Sequence, residues 1–157
     1  MRSLPPPIPV YAKGPLGVVQ LPRLWAKVRL HAAGLLREGY YPVSEGFDKI
    51  LLEGLGLDRE EVVRYLKEEK PSYFAFEQWV AARLGPDREE RIRQVNETIL
   101  GREMPEERRT TFLERLGLPA ETPARTFAEL NAYDDWAEFH AFLAEYEGEH
   151  QGQREGG

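Results

Sequence analysis

The chain contains no cysteine and only three histidines, and its first 37 residues contain no acidic side chain. Without cysteine it has no disulfide, no thiolate metal site and no cysteine nucleophile. A cysteine-free chain suits a reducing cytoplasm, where we expect the protein to be located. There is no run of about 20 apolar residues, and prolines interrupt the N-terminal stretch, so we expect neither a membrane span nor a signal segment.

Charge is divided unevenly along the chain. Six of the 21 basic residues but none of the 27 acidic residues lie in residues 1–37, so a basic N-terminal part precedes an acidic remainder. Either the basic part binds an anion, or it docks on the acidic remainder. We expect no nucleic-acid partner, because the chain has a net charge of −6 and its acidic part would repel phosphates.

Apolar spacing and the placement of proline and glycine predict an all-α fold, a compact bundle of six to seven short helices. Six of the 12 prolines lie between residues 5 and 22, which predicts an extended arm over residues 1–21 that lies across the surface. We expect one helical domain over residues 1–147, with residues 126–147 as an added C-terminal helix, and a disordered tail at 148–157. The predicted helices cover residues 22–36, 44–55, 58–69, 74–84, a segment after Gly85, 105–116 and 127–146.

Two helix starts carry strong local signals. Asp58 with Glu61, and Thr126 with Glu129, have the spacing of a capping box, in which each side chain bonds to the other residue's backbone. In the first helix the apolar stripe runs from Leu21 to Leu35, and the basic residues border it. Phe47 and Trp79 are expected in the core.

The first helix and the loop after it contain the candidate binding residues. Lys27 and His31 are one helical turn apart, and Arg23 lies one turn earlier, so the three form a row of cationic donors suited to a phosphate or carboxylate. Asp48 opens the next helix, where it is expected to lie near the row. Alternatively, the bases pair with Asp48, with Glu45 or with acids of the last helix. The candidate ligand-binding set is Arg23, Lys27, Arg29, His31, Tyr40 and Asp48.

Residues for catalysis or for a metal are not grouped in any recognised pattern. The histidines, His31, His140 and His150, do not have metal-ligand spacing, so we expect no metal. There is no glycine-rich phosphate loop and no nucleophile elbow, so we name no catalytic residue and expect no cofactor. Whether the protein is an enzyme stays open.

The stretch from Leu24 to Leu36, which reads LWAKVRLHAAGLL, leads through Tyr40 to Glu45-Gly-Phe-Asp48 and Leu55-Gly-Leu-Asp58. This order and spacing resemble a bacterial family known as domain of unknown function 5069. The likeness is clear from Leu21 to Trp79 and continues more weakly to Gly117. The family often has Asp where this chain has Ala26. The resemblance implies a small, mostly helical protein without an established activity.

The excess of Arg over Lys is typical of a GC-rich, thermophilic source.

The stretch of the last predicted helix from Phe127 to Glu147 contains six aromatic and six acidic residues, and the aromatic residues occupy more than one face. Such a helix needs cover on two sides, either from its own core and the first helix or from a second subunit in a homodimer. These features favour a non-enzymatic, cytoplasmic, all-helical interaction protein. The alternative is a small enzyme or binding domain for an anionic metabolite. The aromatic residues are Phe127, Tyr133, Trp136, Phe139, Phe142 and Tyr146.

Overall fold

Seven helices account for most of the chain in the computed structural model, which describes residues 2–155 and the side chains of residues 2–149. The predicted all-α fold is confirmed. The described residues contain isolated bridges but no extended strand. No helix among them is long and apolar enough to cross a bilayer. The helices are α1 Leu21–Ala32, α2 Phe47–Leu55, α3 Arg59–Glu69, α4 Tyr73–Ala81, α5 Arg88–Gly101, α6 Glu106–Leu116 and α7 Phe127–Glu155.

Helix α1 lies at the centre of the main core. Its residues Leu21, Leu24 and Val28 are fully buried and pack with apolar side chains of α2, α3, α4 and α5. The stripe was expected to reach Leu35, but α1 ends at Ala32 and Leu35 is exposed. The helix ends there because Gly34 takes a left-handed conformation, with φ of 73°.

The N-terminal segment, residues 2–20, contributes directly to this core. Val10, Val18 and Val19 are buried, so the expectation that the segment lies across the surface is wrong for this part. The Asn96 side chain of α5 holds the segment by donating to the Gly17 carbonyl at 2.7 Å and accepting from the Val19 backbone N–H at 3.0 Å. These two bonds satisfy backbone groups that would otherwise be buried without partners.

A smaller apolar cluster joins α6 to α7. It contains Leu113 of α6 and Leu130 of α7, both buried, together with Met104 and Ala124 from the connecting segments. An isolated antiparallel bridge between Glu103 and Thr126 also connects the segment before α6 to the residue before α7. The first turns of α7 are therefore part of the folded body.

The capping signals have different outcomes at the two predicted helix starts. At α7 the box is confirmed, because the Glu129 N–H donates to the Thr126 hydroxyl at 3.2 Å and the Glu129 carboxylate accepts from the Thr126 N–H at 3.3 Å. At α3 the Asp58 carboxylate accepts from the Glu60 N–H, whereas the Glu61 carboxylate pairs with Arg83. The second bond of the predicted box, from the Asp58 backbone N–H to Glu61, is therefore replaced by an ion pair between Glu61 and Arg83.

Helix α7 is longer than its pattern predicted. It was expected to end at Tyr146, but it continues to Glu155, so the segment expected to be disordered from Gly148 is helical to that residue. Residues 156–157 of the predicted tail lie outside the described residues.

Phe47 is confirmed as a core residue, whereas Trp79 is half-buried. The Trp79 indole stacks on Tyr65 with ring centroids 4.5 Å apart, and Arg83 lies over its other face. Trp79 therefore covers the edge of the core and does not fill its interior.

Gly54 of α2 packs directly against Val95 of α5, and replacing it should destabilise the fold. A Cβ at Gly54 would collide with the Val95 side chain of α5. We expect Gly54→Ala to reduce the free energy of unfolding by about 1–3 kcal/mol, the usual cost of overpacking a core. The control is Gly101→Ala, because a Cβ there meets nothing within 4 Å.

The control should be neutral or stabilising by up to about 1 kcal/mol, since alanine favours the helix over glycine. Urea denaturation of both variants measures the difference. Equal effects at the two positions would show that α2 and α5 are not closely packed at Gly54.

Candidate functional site

Four of the six candidate residues lie together in one buried group, which we call the ionic network. Arg23 and Lys27 of α1 are buried, as is Asp48 of α2, and Tyr40 lies half-buried beside them. The other two candidates do not join the network. His31 is exposed at the end of α1, and Arg29 is half-buried with its Nε atom buried and without a hydrogen-bond partner.

Lys27 and Asp48 form the first pair of the ionic network. Asp48 has no exposed surface, and its carboxylate accepts from Lys27 Nζ, from the Gln20 amide at 2.7 Å and from the Ser44 backbone N–H at 2.8 Å. The pairing of Asp48 with a base of α1 is thus confirmed. Its position in the first turn of α2 adds the favourable field of that helix end.

The surroundings of Lys27 act on its pKa in opposing directions. Burial lowers the pKa of Lys27 below its ordinary value of 10.5, because removing an ammonium group from water disfavours the charged form. The Asp48 carboxylate opposes that shift by charge and by its hydrogen bond, and the nearby Arg23 adds to the lowering. Burial is the largest of these causes, so the pKa is lowered overall.

Arg23 and Asp135 form the second pair. The guanidinium donates to both oxygens of the Asp135 carboxylate, at 2.5 and 3.0 Å, and also to the Ile8 carbonyl of the N-terminal segment at 2.9 Å. The Tyr40 hydroxyl donates to Asp135 at 2.9 Å. Burial and the adjacent Asp135 carboxylate raise the pKa of Tyr40, so the phenol stays protonated and keeps this bond.

Sequence reasoning did not single out Asp135 or Gln20 as members of the network. The alternative that the bases pair with acids of the last helix holds for Arg23, and Asp135 is the acid that it pairs with. Ala128, Ala132 and Asp135 share helical spacing and are all buried on α7. That spacing was the available signal. Gln20 precedes α1 in a left-handed conformation, with φ of 70°, and no sequence pattern pointed to it.

The ionic network has the chemistry of a structural element. Each buried cation has a buried carboxylate partner, and the donors of Arg23 that face the network are already occupied. A buried pair of this kind offers neither a free base nor a free anion site, but losing one partner is costly because a charge is left buried alone. Among the residues with described side chains, no group of three or more acids, histidines or cysteines could hold a metal ion.

An apolar surface lies next to the network, on the exposed side of α7. Trp136 is 60% exposed and Phe139 is 48% exposed, although both are large apolar side chains. Two grooves flank Trp136. The proline groove, which has a volume of about 470 Å³, lies between the N-terminal segment, α1 and α7. It is lined by Leu4, Pro5, Pro6, Pro7, Pro9, Leu30, Asp135, Trp136 and Phe139.

The second groove, which we call the α6 groove, has a volume of about 300 Å³. It lies on the other side of Trp136, between α7 and the end of α6. Trp136 is therefore a ridge between two apolar hollows. The α6 groove is lined by Leu116, Leu118, Thr122, Tyr133, Trp136 and Ala137.

Removing one charge of the second pair should cost far more than removing an exposed charge beside it. We expect Asp135→Asn to lower the free energy of unfolding by about 3–5 kcal/mol, because Arg23 would be left buried without a counter-charge. The matched control is Asp134→Asn, which loses a more exposed pair with Arg115 and should cost at most about 1 kcal/mol. Chemical denaturation of both variants measures the gap, and similar small losses would refute a structural role for the second pair.

The first pair should make stability depend on pH. Because the folded-state pKa of Lys27 is below 10.5, the unfolded chain binds more protons than the folded one between that lowered value and 10.5. The contribution of Lys27 to the free energy of unfolding therefore rises with pH across that window. The comparison is with Lys27→Met combined with Asp48→Asn, which removes both charges and keeps similar volumes.

Wild type should gain stability relative to this double variant as the pH is raised towards 10.5, the ordinary pKa of lysine. Tyrosines also titrate at alkaline pH, but both proteins contain the same tyrosines, so their effect on the difference in stability cancels to first order. A difference that stays constant or falls with pH, in denaturation curves at each pH, would contradict the lowered pKa.

A comparison with known protein families gives a match that includes the residues of the ionic network. A family described as Domain of unknown function (DUF5069) matches residues 15–137, which is 123 of the 157 residues. The match includes all of α1 to α6, the complete ionic network and the first eleven residues of α7, further than the resemblance read from the sequence. The comparison with curated proteins found no match. The chain belongs to the DUF5069 family of domains of unknown function.

Proposed function

We propose that this chain is a non-enzymatic interaction protein of the bacterial cytoplasm, and that it binds another protein through the exposed apolar surface of α7. The observation that carries the proposal is the exposure of Trp136 and Phe139 between two apolar grooves. Exposed aromatic side chains beside concave apolar surface are the features of binding hot spots. The arginine-rich, cysteine-free composition fits a cytoplasmic protein of a thermophilic bacterium.

The ion pairs within the ionic network argue against the alternative function, anion binding, and so support the same proposal. Arg23 and Lys27 were the strongest candidates for anion recognition, and both are held by carboxylates of the same chain. An incoming phosphate or carboxylate would have to displace Asp135 or Asp48 from a buried site. That exchange leaves a carboxylate buried without its partner, which is unfavourable.

Site-specific photo-crosslinking in cells tests the proposed surface. A photoreactive phenylalanine analogue replaces Trp136 in one variant and Tyr41, which is 70% exposed on the loop after α1, in the control. We expect a discrete crosslinked species, identified by mass spectrometry as a protein adduct, at position 136 and none at position 41. Equal or absent adducts at the two positions would refute the proposal.

A thermal-shift screen tests the alternative function, a binding domain for anionic metabolites. Inorganic phosphate, sugar phosphates and dicarboxylates are added to wild type and to the Lys27→Met, Asp48→Asn double variant. A ligand that binds only the folded state raises the melting temperature. We expect no rise in wild type. A rise that the double variant loses would favour the anion-binding alternative over the proposed function.

A further inference from the structure

We infer that the protein bound at α7 is a second copy of this chain, in a two-fold dimer in which Trp136 of each copy enters the proline groove of the other. The inference rests on the proposed function and names its partner. In a two-fold contact both subunits use the same surface, so that surface must carry both the projecting group and the hollow that receives it.

The surface around Trp136 meets this requirement. The exposed indole projects between the two grooves, and the proline groove begins directly beside it, on the side of Phe139. A volume of about 470 Å³ is in the range of pockets that hold drug-sized molecules, so an indole ring fits within it. The projecting group and its receiving hollow therefore lie next to each other on one copy.

Charge is the second argument for a second copy. The whole chain is acidic, so a contact between two copies requires a surface where like charges do not meet. Among the residues that line the two grooves, Asp135 is the one charged residue, and it is only 7% exposed. Its carboxylate is already paired with Arg23 and bonded to Tyr40, so the lining of the grooves has no unpaired charge. The acids on either side, Asp134 and Glu138, are paired with Arg115 and Arg37.

The N-terminal segment gives the receiving groove a fixed shape. Leu4 forms a parallel bridge with Leu36, in which the Leu4 N–H donates to the Leu35 carbonyl at 2.7 Å and the Arg37 N–H donates to the Leu4 carbonyl at 2.9 Å. The Ile8 carbonyl is held by Arg23. With its prolines fixed between these two points, the groove loses little conformational entropy when it is filled.

Sedimentation velocity over a range of protein concentrations tests the dimer. We expect wild type to reach twice its monomer mass, and Trp136→Ala to raise the dissociation constant by about thirtyfold or more, as for a central hot spot. Because Trp136 is exposed on one copy, the variant should keep the helical fold of the wild type, which far-UV circular dichroism measures. Tyr41→Ala is the control and should dimerise like wild type. A wild type that stays monomeric, or a dimer unaffected by Trp136→Ala, overturns the inference.

Single-cysteine crosslinking tests the geometry, since the chain has no cysteine of its own. His140 is exposed one helical turn after Trp136, beside Phe139, so a two-fold axis between the indole and the groove passes close to it. His140→Cys should therefore form a covalent dimer with a short bis-maleimide. Lys67→Cys, exposed on α3, is the control and should not.

The outcomes separate this inference from the proposed function. A dimer that crosslinks at position 67 as readily as at position 140 overturns the geometry. If photo-crosslinking at position 136 yields only adducts with a different protein, the second copy is wrong as the partner and the proposed function stands. If position 136 yields no adduct at all, both fail.

Discussion

The architecture depends on two buried cations that lie one turn apart on α1. Arg23 and Lys27 are both withdrawn from water, and each requires a carboxylate at a defined distance and angle. Helix α2 supplies Asp48 and helix α7 supplies Asp135. Apolar contacts tolerate small sliding of one helix along another, whereas these ion pairs do not, so α2 and α7 are fixed relative to the central helix.

The two pairs also determine which chemistry is left at the surface. Around α1 the charges are internal and neutralised, while on α7 large aromatic groups face solvent. The chain thus combines an apolar core with a buried ionic network between α1, α2 and α7. On α7 it also has an exposed apolar surface that is suited to binding another apolar surface.

Local signals predicted most of the helices, and long-range contacts explain most of the errors. The Thr126 and Glu129 cap and the pairing of Asp48 with Lys27 could be anticipated, since the partners are close in sequence or on consecutive helices. Pairing of a base with the last helix was an open alternative, but Asp135 was not singled out among its acids. Arg23 lies 112 residues away, and the aromatic residues of α7 cover several faces, which obscures the buried one. The burial of Arg23 and Lys27 was missed for the same reason, since it depends on the position of α7.

The link between Arg23 and Asp135 has a consequence for how the chain folds during synthesis. A ribosome adds roughly 5–20 residues per second, so on the order of ten seconds separate the two residues. During that interval α1 has been made but Arg23 has no Asp135 carboxylate to pair with, and the Tyr40 hydroxyl has no Asp135 carboxylate to donate to. The central helix of this protein therefore reaches its final environment only when the last helix has been made, so that folding is completed late in synthesis.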